Sequence, residues 1–208
     1  MHFLNQDIAF PDVSEATKEG ILAVGGDLSP ERLLLAYQSG IFPWFDDEEP
    51  IVWWSPDPRF VLFPQNIKVS KSMKQVLRNT SFEVTINKDF EAVISNCALM
   101  KRYGQQGTWI SPSMKSAYTQ LHTLGYAISV EVWLNNELVG GLYGIDVGNG
   151  VFCGESMFSK VSNASKVALI IFIQNSNYKL IDCQVYTNHL DSLGAEDMPR
   201  AEFMTYLK

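Results

Sequence analysis

The run Leu180-Ile181-Asp182-Cys183-Gln184-Val185-Tyr186 is where the sequence comes nearest to chemistry. Side chains alternate across a strand, so Asp182, Gln184 and Tyr186 share one face while Ile181, Cys183 and Val185 share the other. A polar face of this kind suits an edge strand with one solvated side. It equally suits a cleft, where a carboxylate fixes the orientation of an amide and the pair handles an amine proton. A second candidate is Glu155, a single acid among Phe152, Cys153, Met157 and Phe158, residue types that favour burial.

Several other chemistries lack their residues. Gly154-x-Ser156-x-Phe158 misses the second Gly of a nucleophile elbow. His2, His122 and His189 show no metal-ligand spacing, and Cys97, Cys153 and Cys183 form no CxxC, so no metal site and no disulfide are expected. Gly140-Gly141-Leu142-Tyr143-Gly144 lies inside a strand pattern and matches neither a P-loop nor a dinucleotide fingerprint. Lys71, Lys74 and Arg78 fall at i, i+3 and i+7, on one helix face. Such a stripe is commonly only solvated. With Lys68, Lys101, Arg102 and Lys115, and with Trp44 and Trp109 on loops, it also supplies what a single-stranded RNA end needs: charge for phosphates and rings for bases.

The elements that would position these residues divide the chain in two. Up to Phe63 the sequence is dense in Gly, Pro and Trp, with one clear helix from the N-cap Ser29 and Pro30 to Gly40. Ile41 to Phe45 and Trp53 to Arg59 are too proline-rich for a central strand and are expected to be ordered loop. Residues 1–63 thus form a small N-terminal domain and 64–208 a larger one. In the latter, periodicity predicts helices over Ser70–Arg78, Phe90–Leu99, Ser111–Gly125, Ala164–Gln174 and Arg200–Leu207. Strands are predicted over Phe82–Ile86, Ala127–Leu134, Glu137–Ile145, Val151–Ser156 and Leu180–Tyr186. Asn135-Asn136 and Gly148-Asn149-Gly150 make hairpins of the middle three. This order is α+β with a mostly antiparallel sheet.

The 208 residues are 46% apolar with a net charge of −7. That is enough for a core, and no apolar run or leader pattern directs the chain to a membrane or out of the cell, so a cytoplasmic protein is expected. The negative charge disfavours a nucleic-acid partner until its distribution is read. Residues 1–63 hold 3 basic and 11 acidic side chains, whereas residues 68–115 hold 8 basic and 3 acidic. A local basic surface survives.

Seven runs, in order along the chain, resemble the leucyl/phenylalanyl-tRNA–protein transferase family. They are Gly25-Gly26-Asp27-Leu28-Ser29-Pro30, Gly40-Ile41-Phe42-Pro43-Trp44-Phe45, Trp53-Trp54-Ser55-Pro56-Asp57-Pro58-Arg59, Gly107-Thr108-Trp109-Ile110, Gly154-Glu155-Ser156-Met157-Phe158, Asn163-Ala164-Ser165-Lys166 and Leu180-Ile181-Asp182-Cys183-Gln184. The resemblance implies a small N-terminal domain joined to an acetyltransferase-like domain. It implies transfer of Leu or Phe, and Met less readily, from aminoacyl-tRNA to the N-terminal Arg or Lys of a protein, which marks that protein for degradation.

An aminoacyl ester is already activated, so the implied reaction uses no metal, ATP or covalent nucleophile, and no cofactor. The resemblance assigns Gln184 to receive or guide the amine proton, Asp182 to polarise Gln184 through a hydrogen bond, and Glu155 to a place beside the acyl group or the amine. It assigns Leu142, Phe152, Met157, Phe172 and Ile181 to an apolar pocket for the donor side chain. Trp44 and Trp109 would hold the terminal adenosine, and Lys68, Lys71, Lys74 and Arg78 would track the acceptor stem. A monomer is expected. Two rivals stand beside it: an acetyl-CoA-dependent N-acetyltransferase, which shares the element order but lacks its pyrophosphate turn here, and, from a different class, a non-catalytic receptor for basic N-termini using Glu155 and Asp182 as anchors.

Overall fold

A computed structural model describes residues 2–46, 49–79, 81–100 and 109–208. The N-terminal part holds β1 (His2–Leu4), β2 (Ile21–Gly25), α1 (Pro30–Gln38), β3 (Phe42–Pro43) and β4 (Val52–Trp54). Its four strands form one sheet in the order β1-β2-β4-β3. The tract expected to be loop therefore contains β3 and β4. The proline argument survives in a narrower form, because Pro43 lies on the edge strand, where its missing N–H breaks no ladder. Ser29 caps α1 by accepting from the Arg32 N–H, and Pro30 opens the helix. Just after α1, Gly40 has φ +71°, a conformation that favours glycine, and a Cβ there would meet Met204 Sδ at 2.7 Å and push that side chain aside.

The larger part begins with β5 (Arg59–Leu62), followed by α2 (Lys71–Asn79), β6 (Glu83–Ile86), α3 (Phe90–Leu99) and α4 (Pro112–Thr123). Then come β7 (Ala127–Leu134), β8 (Glu137–Asp146), β9 (Val151–Ser159), α5 (Ala164–Gln174) and β10 (Leu180–Gln184). The described chain closes with α6 (Asn188–Asp191), β11 (Glu196–Met198) and α7 (Arg200–Tyr206). Seven strands make one sheet in the order β11-β5-β10-β9-β8-β7-β6. Strand β5 joins it although it precedes residue 63. Every pairing in this sheet is antiparallel except β9 with β10, which α5 connects.

Strand alternation feeds two cores. Leu142 and Phe152 belong to the core shared with α5, while their neighbours Tyr143 and Cys153 belong to the core shared with α3 and α4. Helix α5 is buried over most of its circumference, which its run Val167-Ala168-Leu169-Ile170-Ile171-Phe172-Ile173 dictates. Among the described residues, no helix is long and apolar enough to cross a membrane.

Candidate active site

The parallel pairing of β9 and β10 ends at Cys153 opposite Asp182. Beyond that point both strands change register with their outer neighbours. Between β8 and β9, Tyr143 faces Ser156 and Gly144 faces Gly154, so Glu155 is the extra residue of a bulge. Between β10 and β5, Asp182 faces Val61 and Gln184 faces Phe60, so Cys183 is the extra residue of another. Bulges re-aim side chains and end pairing. A cavity of about 430 Å³ opens here, with Glu155, Asp182 and Gln184 in its wall.

Asp182 is fully buried and is held at two points by Arg59, with Nε to Oδ1 at 2.8 Å and Nη2 to Oδ2 at 2.7 Å. The guanidinium lies between the rings of Phe42 and Phe203, at 4.7 and 4.8 Å, and its Nη1 donates to the Gly40 carbonyl. Burial alone would draw the proton off Arg59, but the Asp182 charge overrides it and raises the affinity.

Asp182 Oδ1 also accepts from the Gln184 backbone N–H at 2.9 Å, and the Val185 N–H donates to the Cys183 carbonyl at 2.8 Å. With φ +66° at Gln184, this is the positive-φ γ-turn, a costly conformation for a residue with a side chain. The contact between Asp182 and Gln184 thus runs through the backbone. The side-chain amide instead donates from Nε2 to Glu155 Oε1 at 2.7 Å. The expectation that Asp182 polarises the Gln184 amide is corrected accordingly, because the bulge and the turn rotate that amide toward Glu155. The bulge also ends the simple alternation expected up to Tyr186, whose ring is exposed and packs edge-on against Phe60.

Glu155 is buried, and its Oε2 accepts from the Tyr118 hydroxyl at 3.1 Å, which in turn is hydrogen-bonded to the Tyr37 hydroxyl. Burial pushes the carboxyl up to about 7 and the Asp182 charge adds to this, while hydrogen bonding by the Tyr37–Tyr118 pair and by Gln184 opposes the rise. The site therefore pairs one fixed anion, neutralised by Arg59, with one carboxyl balanced between its two states near neutral pH.

Of the apolar residues expected in the donor pocket, Leu142, Phe152, Met157 and Ile181 line the cavity. Phe172 does not. It packs edge-on behind Phe152, with ring centroids 4.6 Å apart, and supports the wall from the α5 side. Trp44 lies at the rim, 36% exposed, with its ring 5.7 Å from that of Trp54. Trp109, expected on an exposed loop, is only 8% exposed and forms part of the inner wall, where it belongs to the core beside α3 and α4. Lys68, Lys71, Lys74 and Arg78 are exposed, and the last three share a shallow concavity on α2 with Gln75. Lys101 and Arg102 lie outside the described residues.

The chain matches the family model for leucyl/phenylalanyl-tRNA protein transferase over residues 61–208, and that for the N-terminal domain of the same family over residues 26–57. It belongs to the leucyl/phenylalanyl-tRNA–protein transferase family. A relative of that name from Flavobacterium johnsoniae is 61% identical over all of this chain and 99% of its own. Another from Flavobacterium psychrophilum is 56% identical over the whole of both chains, and one from Klebsiella pneumoniae is 54% identical over 96% of this chain and 86% of its own. Among solved structures, a GCN5-related N-acetyltransferase from Kribbella flavida aligns at 10% identity with a TM-score of 0.38, over 85% of this chain and 63% of that one. Family membership makes the chain an aminoacyltransferase and disfavours both rivals, the acetyl-CoA-dependent enzyme and the non-catalytic receptor.

Sequence reasoning missed three members of this site. Arg59 was signalled by a lone charge at the head of Arg59-Phe60-Val61-Leu62, a strand buried throughout. Tyr118 and Tyr37 sit in the apolar stripes of α4 and α1, where a hydroxyl is indistinguishable from packing. The bulge had a signal too, in Gly154 inside a strand pattern.

Proposed function

We propose that this chain moves Leu or Phe, and Met less readily, from its tRNA to the N-terminal Arg or Lys of acceptor proteins, acting as a cytoplasmic monomer. The observation that carries the reading is the Gln184 amide bonded to Glu155 in the wall of a mostly apolar cavity. Transfer requires an amine to meet an ester carbonyl, and the attacking α-amine, with an ordinary pKa near 8, is partly neutral at pH 7. Gln184 orients the reacting groups. As the C–N bond forms, the amine proton passes to the Glu155 carboxylate. As the ester C–O bond breaks, that proton passes on to the ribose oxygen of the tRNA, so Glu155 ends the cycle ionised. Asp182 and Arg59 hold the turn that aims Gln184, and much of the acceleration comes from holding two reactants together.

The donor side chain occupies the cavity between Leu142, Phe152, Met157 and Ile181, with Phe172 as backing. Trp44 and Trp109 hold the terminal adenosine, and Lys68, Lys71, Lys74 and Arg78 engage phosphates of the acceptor stem. The two domains, expected to divide after residue 63, divide instead just before Arg59, where β5 begins. The test is incubation with labelled Leu-tRNA and a peptide beginning with Arg. Label is expected to reach the peptide in a ribonuclease-sensitive manner, and no transfer, or transfer from a thioester donor instead, refutes the reading.

A further inference from the structure

Each tyrosine hydroxyl carries one proton. The Tyr118 proton is given to Glu155 Oε2, so in its contact with Tyr37 the Tyr118 oxygen must accept. The chain therefore has one direction, from Tyr37 to Tyr118 to Glu155. Both phenols are buried, and burial together with the Glu155 charge keeps them protonated and able to donate. Tyr118 comes from α4 in the larger part, Tyr37 from α1 in the N-terminal part.

We propose that Tyr118, backed by Tyr37, is a positioning residue that holds the Glu155 carboxylate in register with Gln184 to accept the amine proton, so that the N-terminal part takes part in the reaction through Tyr37. This rests on the role given to Glu155 above. Carboxylate Oε1 is committed to Gln184 and Oε2 to Tyr118, so the plane of the carboxyl is fixed from both sides. A chain of hydroxyls donating in one direction favours the ionised acceptor, since each bond strengthens the next. Among the described residues, the other groups facing Glu155 are few. Asp182 on β10 repels its charge, Arg59 on β5 attracts it, and Cys153 on its own strand is kept a neutral thiol by burial. Tyr143 on β8 packs edge-on against Tyr118. Helices α3 and α5 also pack on β9; their charged residues are Glu91, which is exposed, and Lys166, whose charge is felt by His189.

The decisive experiment measures single-turnover transfer by Tyr118→Phe and Tyr37→Phe from pH 6 to 8.5, each divided by wild type so that titration of the acceptor amine cancels. Loss of the donor leaves the carboxylate less stabilised, and the Tyr118→Phe ratio is expected to fall about five- to tenfold at pH 7 and to recover by pH 8.5, a shift of about one unit. Tyr37→Phe should shift the profile the same way. A ratio independent of pH, as a merely structural role would give, overturns the inference. The carbon-13 shift of the Glu155 carboxyl, titrated in the same variants, reads the effect without catalysis. If Glu155→Gln transfers at the wild-type rate, the catalytic role of Glu155 fails and the proposal with it. If Glu155→Gln is inactive while neither tyrosine variant moves the carboxyl titration, the relay alone fails.

Discussion

Arg59 and Asp182 meet in a two-point ion pair sealed from solvent, 123 residues apart in sequence, and the same carboxylate pins the backbone of Gln184. The pair joins β5 to β10 and, through Gly40, Phe42 and Phe203, fastens the N-terminal and C-terminal segments to β10. Breaking one side of a buried pair leaves a charge with no counterpart, a loss of about 3–5 kcal/mol. Asp182→Ala and Arg59→Ala should therefore lower stability by that amount in urea denaturation and also reduce transfer. Gln184→Ala, which removes no ion pair and relieves no charge, should reduce transfer with a loss nearer 1 kcal/mol, the size of one hydrogen bond. Equal stability of Asp182→Ala and wild type would remove the strut from the account.

The buried carboxyl of Glu155 makes stability depend on pH. Its folded pKa, about 7, lies above the ordinary 4.5, so the folded state holds the proton more tightly than the unfolded state does. The resulting stabilisation is complete below about pH 4.5 and is lost as pH rises through 7. The loss is about 3 kcal/mol at 1.36 kcal/mol per unit. Glu155→Gln carries no such titration, so its stability relative to wild type should improve between pH 4.5 and 8 by about that amount. Denaturation curves at both pH values give the difference directly, and a flat difference contradicts the assignment.

On the proposed assignment, selectivity follows from shape: a donor pocket of Leu142, Phe152, Met157 and Ile181 would tell apolar side chains apart by about 1–3 kcal/mol per methylene, and a branch at Cβ near the cavity mouth is expected to clash. Transfer from isoleucyl-tRNA should be at least about tenfold slower than from leucyl-tRNA in competition assays. Comparable rates would mean that another surface holds the side chain.

The exposed cations of α2 predict a salt-sensitive interaction. Replacing Lys71, Lys74 and Arg78 with Gln should weaken tRNA binding and reduce the slope of log affinity against log salt by about 2–3, one unit for each phosphate left without its cation. An unchanged slope would place the tRNA elsewhere.

Much of this was legible in the sequence wherever local physics decides. Ser29 with Pro30, and Ser111 with Pro112, mark helix starts that the structure keeps. Strands β7 and β8 and the start of β9 stand where the pattern and the two intervening turns put them. What was not legible depends on partners distant in sequence. The bulge at Cys183 and the turn at Gln184 are held by Arg59 and Asp182, so the amide faces Glu155 rather than Asp182. Strands β3 and β4 are two and three residues long and exist through pairing within the N-terminal sheet, which no local period reveals. Trp109 followed the same rule: a tryptophan on a loop can still be core when α3 and α4 pack over it.

The most direct test of the central claim is single-turnover transfer of leucine from its tRNA to an Arg-starting peptide by Glu155→Gln and Gln184→Ala, each verified as folded. A site that works by aligning an ester with an amine beside this carboxyl–amide pair predicts at least about a hundredfold loss in each, the scale of general acid–base and orienting effects. Transfer within a few fold of wild type in both variants would show that the reaction takes place away from these two side chains.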